Sequence, residues 1–101
     1  MATSDVTRND ILAALRRLKP ELSRRYGLKR IALFGSFAQD AARPDSDIDV
    51  VVELAEPDLF ALVHIKDELE AAFQRPVDVV MYSALMNRFL KGRIQREAVY
   101  V

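Results

Sequence analysis

No cysteine occurs among the 101 residues. Disulfide frameworks and thiolate metal sites are thereby excluded, and the composition fits a reducing cytoplasm. Histidine is nearly absent: His64 stands alone, with no second ligand type at metal spacing, and reads as incidental. No apolar run approaches the ~20 residues that a membrane span needs. The opening Met1-Ala2-Thr3-Ser4-Asp5 lacks the basic-then-apolar order of a secretory leader, so no signal peptide is expected. Net charge is missing too, since 15 Lys and Arg balance 15 Asp and Glu, and a strongly basic nucleic-acid surface is not indicated. Internal repeats and low-complexity segments do not occur.

What is present is an ordinary globular composition, 50% hydrophobic and 30% charged. The length allows one domain, 1–101, with one small core and a disordered stretch at 1–6. The zero net charge hides an asymmetry. Residues 1–43 carry nine Lys/Arg against four Asp/Glu, and residues 44–101 carry six against eleven, which gives +5 and −5. Either a basic wall faces an acidic site that binds a triphosphate, or the two halves present solvated helix faces.

Residues 31–54 organise the rest. Ile31-Ala32-Leu33-Phe34 is an apolar run that ends in Gly35-Ser36, and ten residues later Asp47-Ile48-Asp49 opens a second apolar run, Val50-Val51-Val52-Glu53-Leu54. Alternate residues of a strand share a face, so Asp47 and Asp49 point the same way, about 6.5 Å apart at Cα, while Ile48 points into the core. Two carboxylates beside a Gly-Ser turn that can hold phosphate suit a magnesium-bound nucleotide. Ser36 to Ala42 can form a short helix with its N-terminus toward an anion. Gly35 and Ser36, taken alone, are also compatible with a plain turn and N-cap.

The flanking segments follow from periodicity. Thr7 or Asp10 caps a first helix whose apolar face is Ile11, Leu12, Leu15, Leu18 and Leu22. Pro20 predicts a kink or break in it, with a short further turn to Tyr26 and a stop at Gly27. A first strand covers Lys29 to Phe34, Arg43-Pro44-Asp45-Ser46 is a turn, and a second strand covers Asp47 to Leu54. Asp58 caps a helix over 58–73 with a core stripe of Leu59, Leu62, Val63, Leu69 and Phe73, and with Phe60 and Ile65 partly off it. Val77-Asp78-Val79-Val80-Met81 forms a third, central strand. A carboxylate there is costly unless paired or bound to a metal, which singles out Asp78 as a third site acid; the alternative is an edge-strand Asp that faces water. A last helix from about Ala84 to Glu97 turns Leu85, Met86, Phe89, Leu90 and Ile94 inward and its cations outward. The apolar tail Ala98-Val99-Tyr100-Val101 either packs on the sheet or meets a partner.

The acids dictate the topology. Gly35-Ser36 ends the first strand and Asp47 starts the second, so a shared sheet edge requires these strands to be antiparallel. Asp78 lies near the start of the third strand, which must then run parallel to the second, with helix 58–73 as a right-handed crossover. The expected architecture is α/β (α+β): a small mixed sheet of three or slightly more strands with flanking helices. Three clustered carboxylates repel one another, and oxygen-only ligands favour Mg²⁺ as the ion that relieves them.

The run Phe34-Gly35-Ser36-Phe37-Ala38 to Arg43-Pro44-Asp45-Ser46-Asp47-Ile48-Asp49 resembles the signature of the DNA polymerase beta-like nucleotidyltransferases. With so small a chain it resembles their minimal members, the MNT proteins, usually encoded beside a HEPN-domain protein as the antitoxin of a toxin–antitoxin pair. The likeness spans roughly Ile11 to Val101. It implies the polymerase beta-like fold, Asp47, Asp49 and Asp78 as catalytic metal ligands for two Mg²⁺ ions, and Gly35 and Ser36 as nucleotide-binding residues. It also implies ATP as substrate, a HEPN toxin as partner and a toxin tyrosine as acceptor of AMP. Phe60, Ile65, Phe89 and Val99-Tyr100-Val101 offer apolar groups for that partner. One departure stands out: many members read Gly-Ser-x-Ala-Arg-Gly, whereas Gln39 and Asp40 follow Ala38 here, so a cation able to touch phosphate is missing. Two alternatives keep the same strands: an antitoxin that acts by binding alone, and transfer onto a small hydroxylated compound such as an aminoglycoside.

Overall fold

A computed structural model describes residues 7–39, 47–83 and 86–101. In chain order the elements are α1 (Arg8–Tyr26), β1 (Leu28–Phe34), α2 (Gly35–Ala38), β2 (Ile48–Leu54), α3 (Leu59–Phe73), β3 (Val77–Met81), α4 (Arg88–Glu97) and β4 (Val99–Tyr100). The sheet order is β3-β2-β1-β4. β1 and β2 are antiparallel, with Phe34 opposite Asp49, and β2 and β3 are parallel, as the placement of the acids requires. The tail packs on the sheet: β4 pairs antiparallel with β1, setting Val99 opposite Leu33. The expected strand boundaries hold to within one residue. The turn at 43–46 lies outside the described residues, as do residues 40–42 of the expected connecting helix, of which α2 covers Gly35–Ala38.

Strand alternation divides the core in two. Ile31, Leu33, Ile48, Val50 and Val52 face α1 and α3, where Ile11, Leu15, Leu22, Ile65 and Leu69 close over them. Ala32, Phe34 and Val51 point to the other face, where Ile94 of α4 covers them. The acids therefore belong to the α4 side of β2, because Asp49 and Val51 share a face and Ile48 and Val50 lie opposite. No described helix is long and apolar enough to cross a membrane.

Four expectations change. α1 runs unbroken through Pro20, starting from a capping box in which Thr7 Oγ1 accepts from Asp10 N–H and Asp10 Oδ2 from Thr7 N–H, each at 3.1 Å. Pro20 is exposed, so its ring and the Arg16 carbonyl it leaves unpaired sit on the wet side, while buried Ile11, Leu15 and Leu22 hold the apolar stripe on both sides of it. Pro20→Ala restores an N–H to the helix and should raise the unfolding free energy by about 1–2 kcal/mol, read by urea denaturation. Unchanged or lower stability would show that the proline is favoured at this position.

The α3 stripe is rotated. Leu59, Phe60 and Val63 are 70%, 80% and 53% exposed, whereas Ala61, Ile65, Leu69 and Phe73, four residues apart, are buried. The first turns, Leu59 to Ile65, are apolar nearly all round, so periodicity does not select a face there. The small Ala61 lets the helix approach the sheet. Ile65 is thus core and unavailable to a partner. β3 is an edge strand, not a central one, and Asp78 is exposed on it, so the burial cost that singled it out does not apply and its place opposite Asp49 is what ties it to the site. α4 begins at Arg88, because Asn87 Oδ1 accepts from the N–H groups of Phe89 (2.8 Å) and Leu90 (3.3 Å). Ala84 and Leu85 lie outside the described residues. Phe89, expected inward, is 86% exposed.

Candidate active site

The site is built at the end of the sheet where β1 stops and β2 and β3 start. Phe34 is extended, and at Gly35 the chain turns into α2 with φ 76. That is the left-handed region, which glycine adopts without penalty. Glycine is required for a second reason. A Cβ at this position would overlap Asp49 Oδ2 and stand 3.1 Å from Asp49 Cγ. The Gly35 backbone therefore lies directly against the Asp49 carboxylate, and Ser36 follows it.

Asp49 is the centre of the arrangement. It faces Phe34 on β1 and Asp78 on β3 in the sheet register. Asp47 precedes β2 and is exposed, on the Asp49 face by alternation. Burial, then the negative charges of Asp78 and Asp47, raise the Asp49 pKa above the ordinary carboxylate value, and Arg93 opposes that rise. The three acids thus interact electrostatically. They are not drawn into a tight cluster: among the described residues, no three acid, His or Cys side chains have ion-holding spacing. The donor set is nevertheless carboxylate oxygen alone, and the penalty on Asp49 is one that a bound divalent cation would remove. On these two grounds the residues fit Mg²⁺.

Four of the described cations lie away from Gly35. Arg24 and Arg25 close the far end of α1, pairing with Glu21 at 2.5 Å and Glu68 at 3.3 Å. Lys29 and Arg30 reach Glu53 at 3.9 and 3.0 Å, again away from Gly35. Of the other described cations in the first half, Lys19 Nζ donates to the Val101 carbonyl at 2.8 Å and Arg8 Nε donates to the Ala38 carbonyl at 2.9 Å, tying α1 to α2; Arg43 lies outside the described residues. Arg75 lies over the Phe37 ring, 5.4 Å from its centroid. Arg93, read from the helical period as an outward cation, bears on Asp49 because α4 lies across the carboxylate face. No local signal marks it, since its role depends on where α4 docks. His64 stacks on Tyr26, with centroids 5.8 Å apart and planes within 5°, remote from the acids.

Comparison with known proteins agrees with this fold. The family described as nucleotidyltransferase domain matches residues 15–101. Protein adenylyltransferase MntA of Thermococcus cleftensis is 37% identical over 97 residues, covering 95% of this chain and 97% of that protein. A solved structure assigned as a minimal nucleotidyltransferase superposes with a TM-score of 0.77 at 32% identity, covering 96% of this chain and 98% of that one. A chain in a crystal structure of a toxin–antitoxin with AMP-PNP superposes with a TM-score of 0.69 at 26% identity, covering 83% of this chain and 69% of that one.

Proposed function

The chain belongs to the nucleotidyltransferase domain family, in its minimal branch, and we propose that it is an antitoxin that transfers AMP from ATP to a tyrosine of a cognate HEPN toxin. The observation that carries this reading is the juxtaposition of Asp49 with Asp78 across β2 and β3, with the Gly35 backbone against Asp49. The protein adenylyltransferase relative and the toxin–antitoxin structure with AMP-PNP support the reaction class and the partner.

The residues divide the work. Gly35 and Ser36 receive the outer phosphates of ATP. Asp47 and Asp49 are the residues that would hold one Mg²⁺ ion, and those two with Asp78 a second, where such ions supply Lewis-acid polarisation and charge neutralisation. The tyrosyl oxygen forms a bond to the α-phosphorus, the bond from that phosphorus to the β-phosphate bridging oxygen breaks, and pyrophosphate leaves. Asp78 accepts the tyrosyl proton. Its exposure on an edge strand leaves it open to a protein acceptor. Phe60 and Phe89 are exposed apolar groups that remain available for the toxin.

A second reading, binding without transfer, draws on Gln39, which stands where many relatives carry an arginine. Intact mass spectrometry of the toxin separates the two. Co-expression with the wild-type chain should add one or more AMP groups, and co-expression with Asp47→Asn none. An unmodified toxin that Asp47→Asn still neutralises would replace transfer with binding.

A further inference from the structure

Arg8 stands where its own helix disfavours it. It is the first residue of α1, directly after the Thr7 cap, and a cation there opposes the partial positive charge of the unpaired N–H groups. The side chain finds its partner 30 residues away, donating from Nε to the Ala38 carbonyl at 2.9 Å. Ala38 ends α2, so that carbonyl has no partner within the helix, and a cation is favoured at such an end. The reciprocal bonds between Thr7 and Asp10 fix the turn from which Arg8 leaves α1. α2 itself is a single turn, closed by the Gln39 N–H on the Gly35 carbonyl at 3.2 Å. So short a helix does not hold itself and takes its placement from its neighbours. Phe37 and Ala38 are buried with Ile11 and Leu12 of α1, but apolar burial sets no direction. The Arg8 bond does, because a charged donor on a carbonyl is both strong and directional.

Placement matters most at the other end of the same turn. The Gly35 backbone lies against the Asp49 carboxylate with no room for a Cβ. A turn displaced toward β2 meets that carboxylate, and one displaced outward carries Ser36 away from it. We propose that Arg8 is a positioning residue of the site: by holding the C-terminal end of α2 it sets the Gly35–Ser36 turn that receives the outer phosphates of the nucleotide and the pyrophosphate that leaves. Asp47, Asp49 and Asp78 serve the α-phosphate from β2 and β3, and their places do not depend on this bond. The role deepens the transferase reading of the site and rests on it.

Calorimetric titration of the full chain in the presence of Mg²⁺ tests this with three probes: ATP, pyrophosphate and AMP. Arg8→Ala should weaken ATP and pyrophosphate about 10-fold and leave AMP unchanged, since AMP lacks the phosphates concerned. Arg8→Lys keeps a charged donor and should recover part of the loss. In transfer to the toxin, Arg8→Ala should raise the KM for ATP and leave kcat nearly unchanged, because the outer phosphates are held alike before and during reaction. Hydrogen exchange at the Gln39 amide, which closes α2, should quicken in Arg8→Ala. Tyr26→Phe is the control: it removes the bond from the Tyr26 hydroxyl to Glu68, loosening α1 at its far end without touching α2, and should keep wild-type affinity for all three probes. Wild-type ATP affinity in Arg8→Ala, an equal loss for AMP and ATP, or a loss in Tyr26→Phe as large as in Arg8→Ala would overturn the role of Arg8 and leave the transferase reading standing. A wild-type chain that bound neither ATP nor pyrophosphate would overturn both.

Discussion

Asp49→Asn is expected to lower nucleotidyl transfer at least about 100-fold while the protein stays folded, because losing one ligand charge removes several kcal/mol of transition-state stabilisation. Stability should move the other way. The Asp49 pKa is raised in the folded protein by burial and by the charges of Asp78 and Asp47. The folded state therefore binds more protons than the unfolded state between the ordinary carboxylate value and the raised one. Stability of the metal-free protein should rise as pH falls through that window, and the full penalty is present at neutral pH. Asparagine removes the charge, so the variant should melt no lower than wild type at pH 7, and its stability should lose this pH dependence. Thermal melts at several pH values in a chelator check the sign. A variant that melts lower at pH 7 would mean that the carboxylate makes a stabilising contact of its own.

Gly35→Ala should be the most damaging change outside the acids. An alanine at φ 76 costs about 1–2 kcal/mol from the backbone alone. Its Cβ would also collide with the Asp49 carboxylate. Relief requires the turn to retreat or the carboxylate to swing away, and either displaces a group the reaction needs. Transfer should fall by about 100-fold or more, since a misplacement near 1 Å is enough for that. The two contributions separate in a double-mutant cycle. In an Asp49→Ala background the collision is reduced and the strain at Gly35 persists, so Gly35→Ala should cost less there than in wild type. Strict additivity of the two unfolding free energies would show that the side chains do not meet.

That Gly35 and the aspartates share one end of the sheet was legible because they sit at strand ends, where apolar runs stop abruptly and alternation fixes the face; the Gly35–Asp49 contact itself was not. The antiparallel and parallel pairings followed from the same acids. Elsewhere the signals were weaker. Near Ala61 the helix is apolar on every side, and only docking on the sheet decides that Ile65 goes in and Leu59 stays out. Pro20 signals a break by its chemistry, but an exposed position lets buried neighbours carry the helix past it. An apolar run such as Val77 to Met81 reads as central, yet a strand covered mostly on one face can form the sheet edge with the same residues. Arg93 was the hardest to see, because its bearing on Asp49 depends on α4 docking through Ile94 onto Phe34 and Val51, residues far from it along the chain.

The source of the transferred group is tested most directly with ATP labelled at either end of the triphosphate. Toxin incubated with Mg²⁺ and the wild-type chain should take up label from the α-phosphate and none from the γ-phosphate, and Asp49→Asn should transfer neither. Label arriving from the γ-phosphate, or α-label arriving equally well with Asp49→Asn, would contradict nucleotidyl transfer at these carboxylates.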